Sequence, residues 1–173
     1  DLVDREGAFL SQRKLPRMCL VEPRLCPSAL TLTAPGRSGL SVPLEGKGRP
    51  KTKVAVWGDP CDAFDEGEAA SDWFSSFLGE ACRLVRIDPG FRRPLEPDRS
   101  RPGDWTAFAD GFPLLVAAEE SLADLCRRAG RAFEMERFRP NIVVRGAQAW
   151  GEDAWKSLRR RALGLRAVKP CAR

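Results

Sequence analysis

Proline and glycine cut the start of this chain into short pieces, and that cutting is its strongest constraint on fold. Leu2-Val3, a turn over Asp4 to Gly7, and Ala8 to Arg13 read as strand, turn, strand, with Gly7 supplying the positive φ a hairpin wants. Pro16 ends the second strand, and Met18 to Val21 reads as a further short strand closed by Pro23. Leu30 to Thr33 alternates and stops at Pro35-Gly36, and Leu40 to Leu44 pairs with it as a hairpin. Such pieces build an antiparallel meander, not a βαβ series. The expected fold class is α+β and β-rich.

Downstream, Glu45 to Lys53 reads as a polar loop, Val54 to Trp57 as a strand, and Asp59 to Asp62 as a turn. Asp65 and Glu68 have the spacing of a capping box. Ala69, Ala70, Trp73, Phe74, Phe77 and Leu78 then recur at helical spacing, and Gly79 suits the end of that helix. The aromatic stripe reads as core rather than as a ligand box. Leu84 to Ile87 is a strand. Residues 88–104, rich in Pro, Arg and Asp, form a long loop and the best boundary. This gives a β-rich region with one helix over 1–86 and a second region over 88–173.

In the second region Pro113 to Ala117 reads as a buried strand. The helix after it carries Leu122, Leu125 and Cys126 on one face, with Ala118 as a poor cap, Glu119 and Glu120 at the positive end of the dipole, and Gly130 beyond. Trp150 to Trp155 reads as a loop or short turn, and Leu163 to Val168 as a strand. The acid pairs Glu119-Glu120 and Glu152-Asp153 read as solvated charges.

Composition excludes several chemistries. The sequence contains no histidine, so no Ser-His-Asp or Cys-His arrangement and no His-ligated metal can be built from these residues. The cysteines Cys19, Cys26, Cys61, Cys82, Cys126 and Cys171 form no C-x-x-C pair and read as free thiols of a reducing, cytoplasmic compartment. No phosphate-cradling or dinucleotide glycine motif is present. No apolar run reaches membrane-span length, and no signal-peptide pattern opens the chain. A start at Asp1 rather than Met is expected of a piece of a longer protein. The net charge of +5 favours an anionic ligand or partner but is too small to argue for nucleic acid.

The stretch Arg137 to Gly146 draws attention next. In an extended chain Arg137, Arg139 and Asn141 would point one way, ahead of a buried strand Ile142-Val143-Val144. Two readings stand side by side: an anion- and amide-recognising lip, or a surface strand end with solvated arginines.

Val3-Asp4, Phe9 to Arg13, Val56 to Asp59, Trp73-Phe74, Asp110 to Pro113, Ser121 to Leu125, Arg137 to Val144, Glu152-Asp153 and Lys169 to Arg173, in that order and spacing, resemble the MOSC-domain family, of the amidoxime-reducing-component type with an N-terminal β-barrel-like region. The resemblance implies a mixed N-terminal region followed by the first part of a MOSC β-barrel, incomplete at its C-terminal side. It also implies a molybdenum cofactor (molybdenum on molybdopterin), with a cysteine thiolate as protein ligand, and two-electron oxygen removal from small N-hydroxylated compounds. A ferredoxin-like or cytochrome b5-type partner would supply electrons, and attachment to a mitochondrial membrane is implied for a eukaryotic parent. Arg139 and Asn141 match pterin- and phosphate-contacting positions; Gly111 and Phe112 match a cofactor approach made here by backbone. The closing motif of the family places the ligand cysteine just after Arg173. Cys171 is the motif's first cysteine and only a secondary candidate for the metal, and this piece is expected to be inactive alone. Arg159-Arg160-Arg161 reads as an altered loop or a patch for an acidic electron donor. Two alternatives stay open: a carrier module of a cofactor sulfurase, whose sulfur chemistry sits on a separate pyridoxal-phosphate domain, and a non-catalytic interaction domain.

Overall fold

Trp57 and Gly58, both at positive φ (57° and 90°), make a two-residue reversal in the first half of the chain. A loop of this type matches the right-handed twist of the strands it joins. The turn expected at Asp59 to Asp62 is therefore corrected: those residues lie in a strand. The computed structural model describes residues 1–46 and 48–171. It divides into two units, Asp1–Arg93 and Pro94–Arg173. Lys47 of the polar loop, and Ala172 and Arg173 of the closing motif, lie outside the described residues.

The first unit contains β1 (Leu2–Val3), β2 (Glu22–Leu25), β3 (Ala29–Thr33), β4 (Leu40–Pro43), β5 (Lys51–Val56), β6 (Asp59–Asp65), helix α1 (Glu68–Leu78) and β7 (Arg83–Ile87). Every strand pair among them is antiparallel. One sheet runs β2-β3-β4, the expected meander; the other runs β1-β7-β6-β5. The strand expected at Met18 to Val21 is instead a 3-10 turn, Pro16–Leu20, because Pro16 suits a first helical position where no N–H is needed. Pro23 lies inside β2, tolerated because β2 is an edge strand. Ala8 and Phe9 form only isolated bridges, to Ala55 and Val3. Lys51 to Lys53 open β5 instead of closing a loop.

The capping box does not form. Gly67 is the N-cap of α1, at φ 95°, with no side-chain cap. Arg83 takes both carboxylates instead, pairing with Asp65 and, at 2.9 Å, with Glu68. Asp65 also accepts the Gly67 N–H at 2.7 Å. The helix itself follows its periodicity. Trp73, Phe74, Phe77 and Leu78 pack with Leu2, Leu10, Leu32, Val42 and Cys82, joining α1 to both sheets. Gly79 ends it in the left-handed conformation.

In the chain that follows, β8 (Arg93–Pro94) falls on the division. The second unit holds β9 (Trp105–Thr106), β10 (Val116–Ala118), α2 (Glu119–Ala129), β11 (Ile142–Val144), β12 (Ser157–Arg160) and β13 (Leu163–Arg166). β10 runs straight into α2, and β11 returns parallel to β10 with Val116 beside Ile142. β12 and β13 form an antiparallel hairpin. Two burial expectations are corrected. The strand placed at Pro113 to Ala117 is Val116–Ala118, with Leu114 47% exposed. Ile142–Val144 is a strand, but Val143 is 46% exposed. The result is an α+β, β-rich fold.

Candidate functional site

Parallel pairing decides the local geometry. Because β10 and β11 run the same way, the segments that lead into them, ending at Leu115 and Asn141, enter at the same end. Leu115 and Asn141 meet there. The Asn141 side-chain oxygen accepts the Leu115 N–H at 2.8 Å, and the Leu115 carbonyl accepts the N–H groups of Asn141 (2.9 Å) and Ile142 (3.1 Å). The acceptor half of the Asn141 amide is thus taken by backbone. Its NH2 has no partner among the described residues and Asn141 is exposed, so only the donor half of the amide is left for a further contact, not the donor and acceptor its residue type allows.

Arg139 reaches the same edge by a different backbone than expected. Met135–Phe138 is a 3-10 turn and Arg139 follows it in the left-handed region, at φ 51°. The alternation that put Arg137, Arg139 and Asn141 on one face is therefore corrected: this backbone is not extended. The guanidinium of Arg139 is exposed, with no ion pair or hydrogen bond among the described residues. Arg137 is drawn elsewhere, 5.6 Å from the centre of the Phe133 ring, which Arg131 also covers at 4.6 Å.

The other lead-in carries Gly111 and Phe112, and the closing motif comes to it. The Lys169 ammonium lies 5.3 Å from the centre of the Phe112 ring and 2.8 Å from Glu96. This pairing holds the Glu96 carboxyl below its ordinary range. A Cβ on Gly111 would stand 3.5 Å from the Lys169 nitrogen and 3.8 Å from the Glu96 carboxylate, so the lysine head is seated against bare backbone. Cys171, two residues on, is exposed. The residues singled out in the sequence thus fall into two linked groups, Gly111 and Phe112 with Lys169, and Asn141 with Leu115. Among the described residues no hydrogen bond or ion pair joins Arg139 or Cys171 to either.

Sequence reasoning missed the clamp behind this edge. Glu152 accepts the Ala118 N–H at 3.1 Å and the Ser121 hydroxyl at 2.7 Å, and that hydroxyl accepts the Trp150 N–H at 2.8 Å. Ala118 cannot cap α2, so a carboxylate from thirty-odd residues away does so at the positive end of its dipole. Glu119 takes the Arg145 guanidinium on both oxygens (2.6 and 3.0 Å), and Glu120 accepts the Gly146 N–H at 2.6 Å. The Arg145 guanidinium and the Gly146 N–H hold the Glu119 and Glu120 carboxyls below their ordinary range. The reading of Glu119, Glu120 and Glu152 as solvated charges is corrected: they tie residues 145–152 to the helix that carries β10. Glu152→Ala is expected to weaken the first turn of α2 by about 2 kcal/mol and speed amide exchange there roughly 30-fold. Hydrogen exchange with mass spectrometry on the whole protein reads this directly, and unchanged rates over residues 118–122 would count against the clamp.

Comparison with known proteins fits both units. The MOSC N-terminal beta barrel domain matches residues 1–81, and the MOSC domain matches residues 103–173. The chain belongs to the MOSC family. Human mitochondrial amidoxime-reducing component 1 is 34% identical over 181 residues, spanning 99% of this chain and 52% of the relative. Human mitochondrial amidoxime reducing component 2 is 31% identical over 178 residues, spanning 99% and 53%. The Xenopus laevis component 1 is 30% identical over 179 residues, spanning 99% and 52%. This MOSC chain thus spans about half the length of these relatives and is a molybdenum-cofactor-related domain. No helix among its described residues is long and apolar enough to cross a membrane.

The donors of this MOSC chain suit the organic part of such a cofactor. A guanidinium without a partner suits a phosphate, and an amide NH2 without one suits a ring carbonyl. Among the described residues no three Cys, Asp or Glu side chains gather as a metal site.

Proposed function

We propose that this chain is the cofactor-holding part of a molybdenum-dependent reductase of N-hydroxylated compounds. The observation that carries the reading is the meeting of three segments at one end of the β10–β11 pair: the lead-in at Gly111 to Leu115, joined to Asn141 by hydrogen bonds and to Lys169 of the closing motif by close packing. When bound, the cofactor supplies two-electron redox chemistry at molybdenum. The chain's own part is to bind and orient it. Arg139 holds the phosphate with two parallel N–H donors, which a lysine could not reproduce. Asn141, fixed by Leu115, donates to a ring oxygen. Gly111 and Phe112 offer backbone, since Gly111 has no side chain to bar close approach.

The names of the relatives support the substrate class, and amidoximes are N-hydroxylated amidines. Removing the oxygen consumes two electrons and two protons and releases water, so an electron-transfer protein, ferredoxin-like or cytochrome b5-type, is the required partner. The relatives' names also favour mitochondria as the place of action.

The test uses the full-length protein. A charge-assisted hydrogen bond is worth about 1.5–3 kcal/mol, so Arg139→Ala is expected to lower molybdenum and pterin content on the order of tenfold. Metal is measured by plasma mass spectrometry and pterin by the fluorescence of its oxidised form. A folded Arg139→Ala protein with normal content of both would sink this assignment.

A further inference from the structure

We propose that the β12–β13 hairpin is a docking surface for an acidic protein, and that its occupant is the electron donor; this last clause rests on the reductase reading above. Among the described residues, five arginines of the second unit are ion-paired. Arg99 pairs with Glu96, Arg127 and Arg128 with Asp124, Arg145 with Glu119, and Arg166 with Asp104. Arg159, Arg160 and Arg161 are consecutive and exposed, and none has a partner among the described residues. No acidic residue occurs anywhere from Ala154 to Arg173, so the hairpin's own sequence cannot neutralise them.

Backbone geometry adds an independent observation. Arg161 begins the two-residue loop at φ 52°. Glycine or asparagine takes that conformation at little cost, whereas other L residues are strained there. A long cationic side chain held at a position that favours glycine points to a use for the side chain. Across the hairpin Arg160 is directly opposite Leu163, so the two share a face, and Leu163 is 56% exposed. Arg159 is opposite Gly164, where an added Cβ would meet nothing within 4 Å. The surface is thus a cationic tip around one exposed leucine, with open space beside Arg159. Its complement is a carboxylate-rich protein surface around an apolar spot. Small electron carriers with acidic rims have that form, and steering by opposite charge raises their encounter rates.

The experiment uses the full-length holoprotein with two probes: an acidic ferredoxin and an acidic cytochrome b5-type domain. Binding is measured by surface plasmon resonance over a range of salt. Arg159→Glu/Arg160→Glu/Arg161→Glu is expected to weaken binding of at least one probe roughly tenfold or more at low salt and to flatten its salt dependence, with molybdenum content unchanged. Arg161→Gly is expected to raise Tm by a few degrees while weakening docking; together these separate a functional arginine from a structural one. Equal binding by the triple variant and the unaltered protein overturns the proposal, as does failure of both probes to bind. Tighter binding of duplex RNA than of either probe, lost in the triple variant, also overturns it by assigning the tip to nucleic acid. If instead the unaltered full-length protein holds neither molybdenum nor pterin while the triple variant loses docking, the reductase reading fails and the surface stands.

Discussion

Phe77→Ala is expected to destabilise the first unit by about 4 kcal/mol, within the range for emptying an aromatic from a core. Phe77 is 2% exposed and packs between the two sheets with Trp73, Phe74 and Leu78. The Trp73 and Phe77 rings lie 5.9 Å apart, and the Arg17 guanidinium covers Phe77 at 4.6 Å. Alanine would remove the ring that α1 presents to both sheets and leave Arg17 over a void. Small domains are stable by only about 5–15 kcal/mol in total, so the loss is a large share of the unit's stability. With a urea m-value of about 2 kcal/mol/M, the midpoint is expected to fall by roughly 2 M. Circular dichroism follows the transition. Trp73 is the buried tryptophan at 6% exposure, so a red shift of the emission edge reports the same event locally. A midpoint shift below about 0.5 M would mean that the core collapses onto the cavity, which the rigid pairing of two sheets around α1 argues against.

That core was legible in the sequence because its signal is local and periodic. Trp73, Phe74, Phe77 and Leu78 fall at helical spacing whatever they pack against, and Gly79 marks the end. The meander of β2, β3 and β4 was legible for the same reason, from alternation between turn residues. The sequence misleads where two local rules compete. Pro16 has the look of a stop, but proline also starts helical turns. The dipeptide Asp59-Pro60 looks like a turn, but the positive-φ pair one step earlier had already reversed the chain. Pro60 is accommodated because β7 pairs with β6 only from Ala63 to Asp65, so β6 has a free edge at Pro60. The capping box failed because Arg83, distant in sequence, competed for Asp65 and Glu68.

The candidate site was legible as residue types and not as geometry. Arg139, Asn141, Gly111 and Lys169 stand out from the chain as donors and bare backbone. Nothing local says that Asn141 lies against Leu115, because that contact depends on a parallel pairing across an intervening helix, or that Lys169 comes back to Gly111 from beyond β13. At Arg139 extended geometry is the natural default, since an arginine at positive φ is rare. The acids of α2 looked solvated for a related reason: adjacent carboxylates carry no sign of the Arg145 and Gly146 that reach them from beyond the next strand.

Glu66→Ala is expected to lower the stability of the first unit by about 3 kcal/mol. The Glu66 side chain is 3% exposed and pairs with Arg49 and, at 2.6 Å, with Arg86. Removing one partner of a buried pair typically costs about 3–5 kcal/mol, because a charge is left without its counterion. The lower end applies here, since both guanidiniums keep carbonyl acceptors: Arg49 donates to the Glu66 backbone oxygen at 2.9 Å, and Arg86 to Leu44 and, at 2.7 Å, to Pro43. Those last contacts give the cluster its structural sense. Arg86 belongs to β7 and Pro43 to β4, so the pair Glu66–Arg86 fastens the end of one sheet to the other beside the start of α1. The expected fall in Tm is roughly 12 to 24 °C for a unit of this size, read by calorimetry. Replacing all three groups together, Glu66→Leu with Arg49→Met and Arg86→Met, is expected to recover most of the loss, because no charge then remains to be desolvated. If the triple variant were as unstable as Glu66→Ala, the cost would lie in the carbonyl bonds of Arg86 rather than in the uncompensated charge, and the fastening of the two sheets would rest on hydrogen bonding alone.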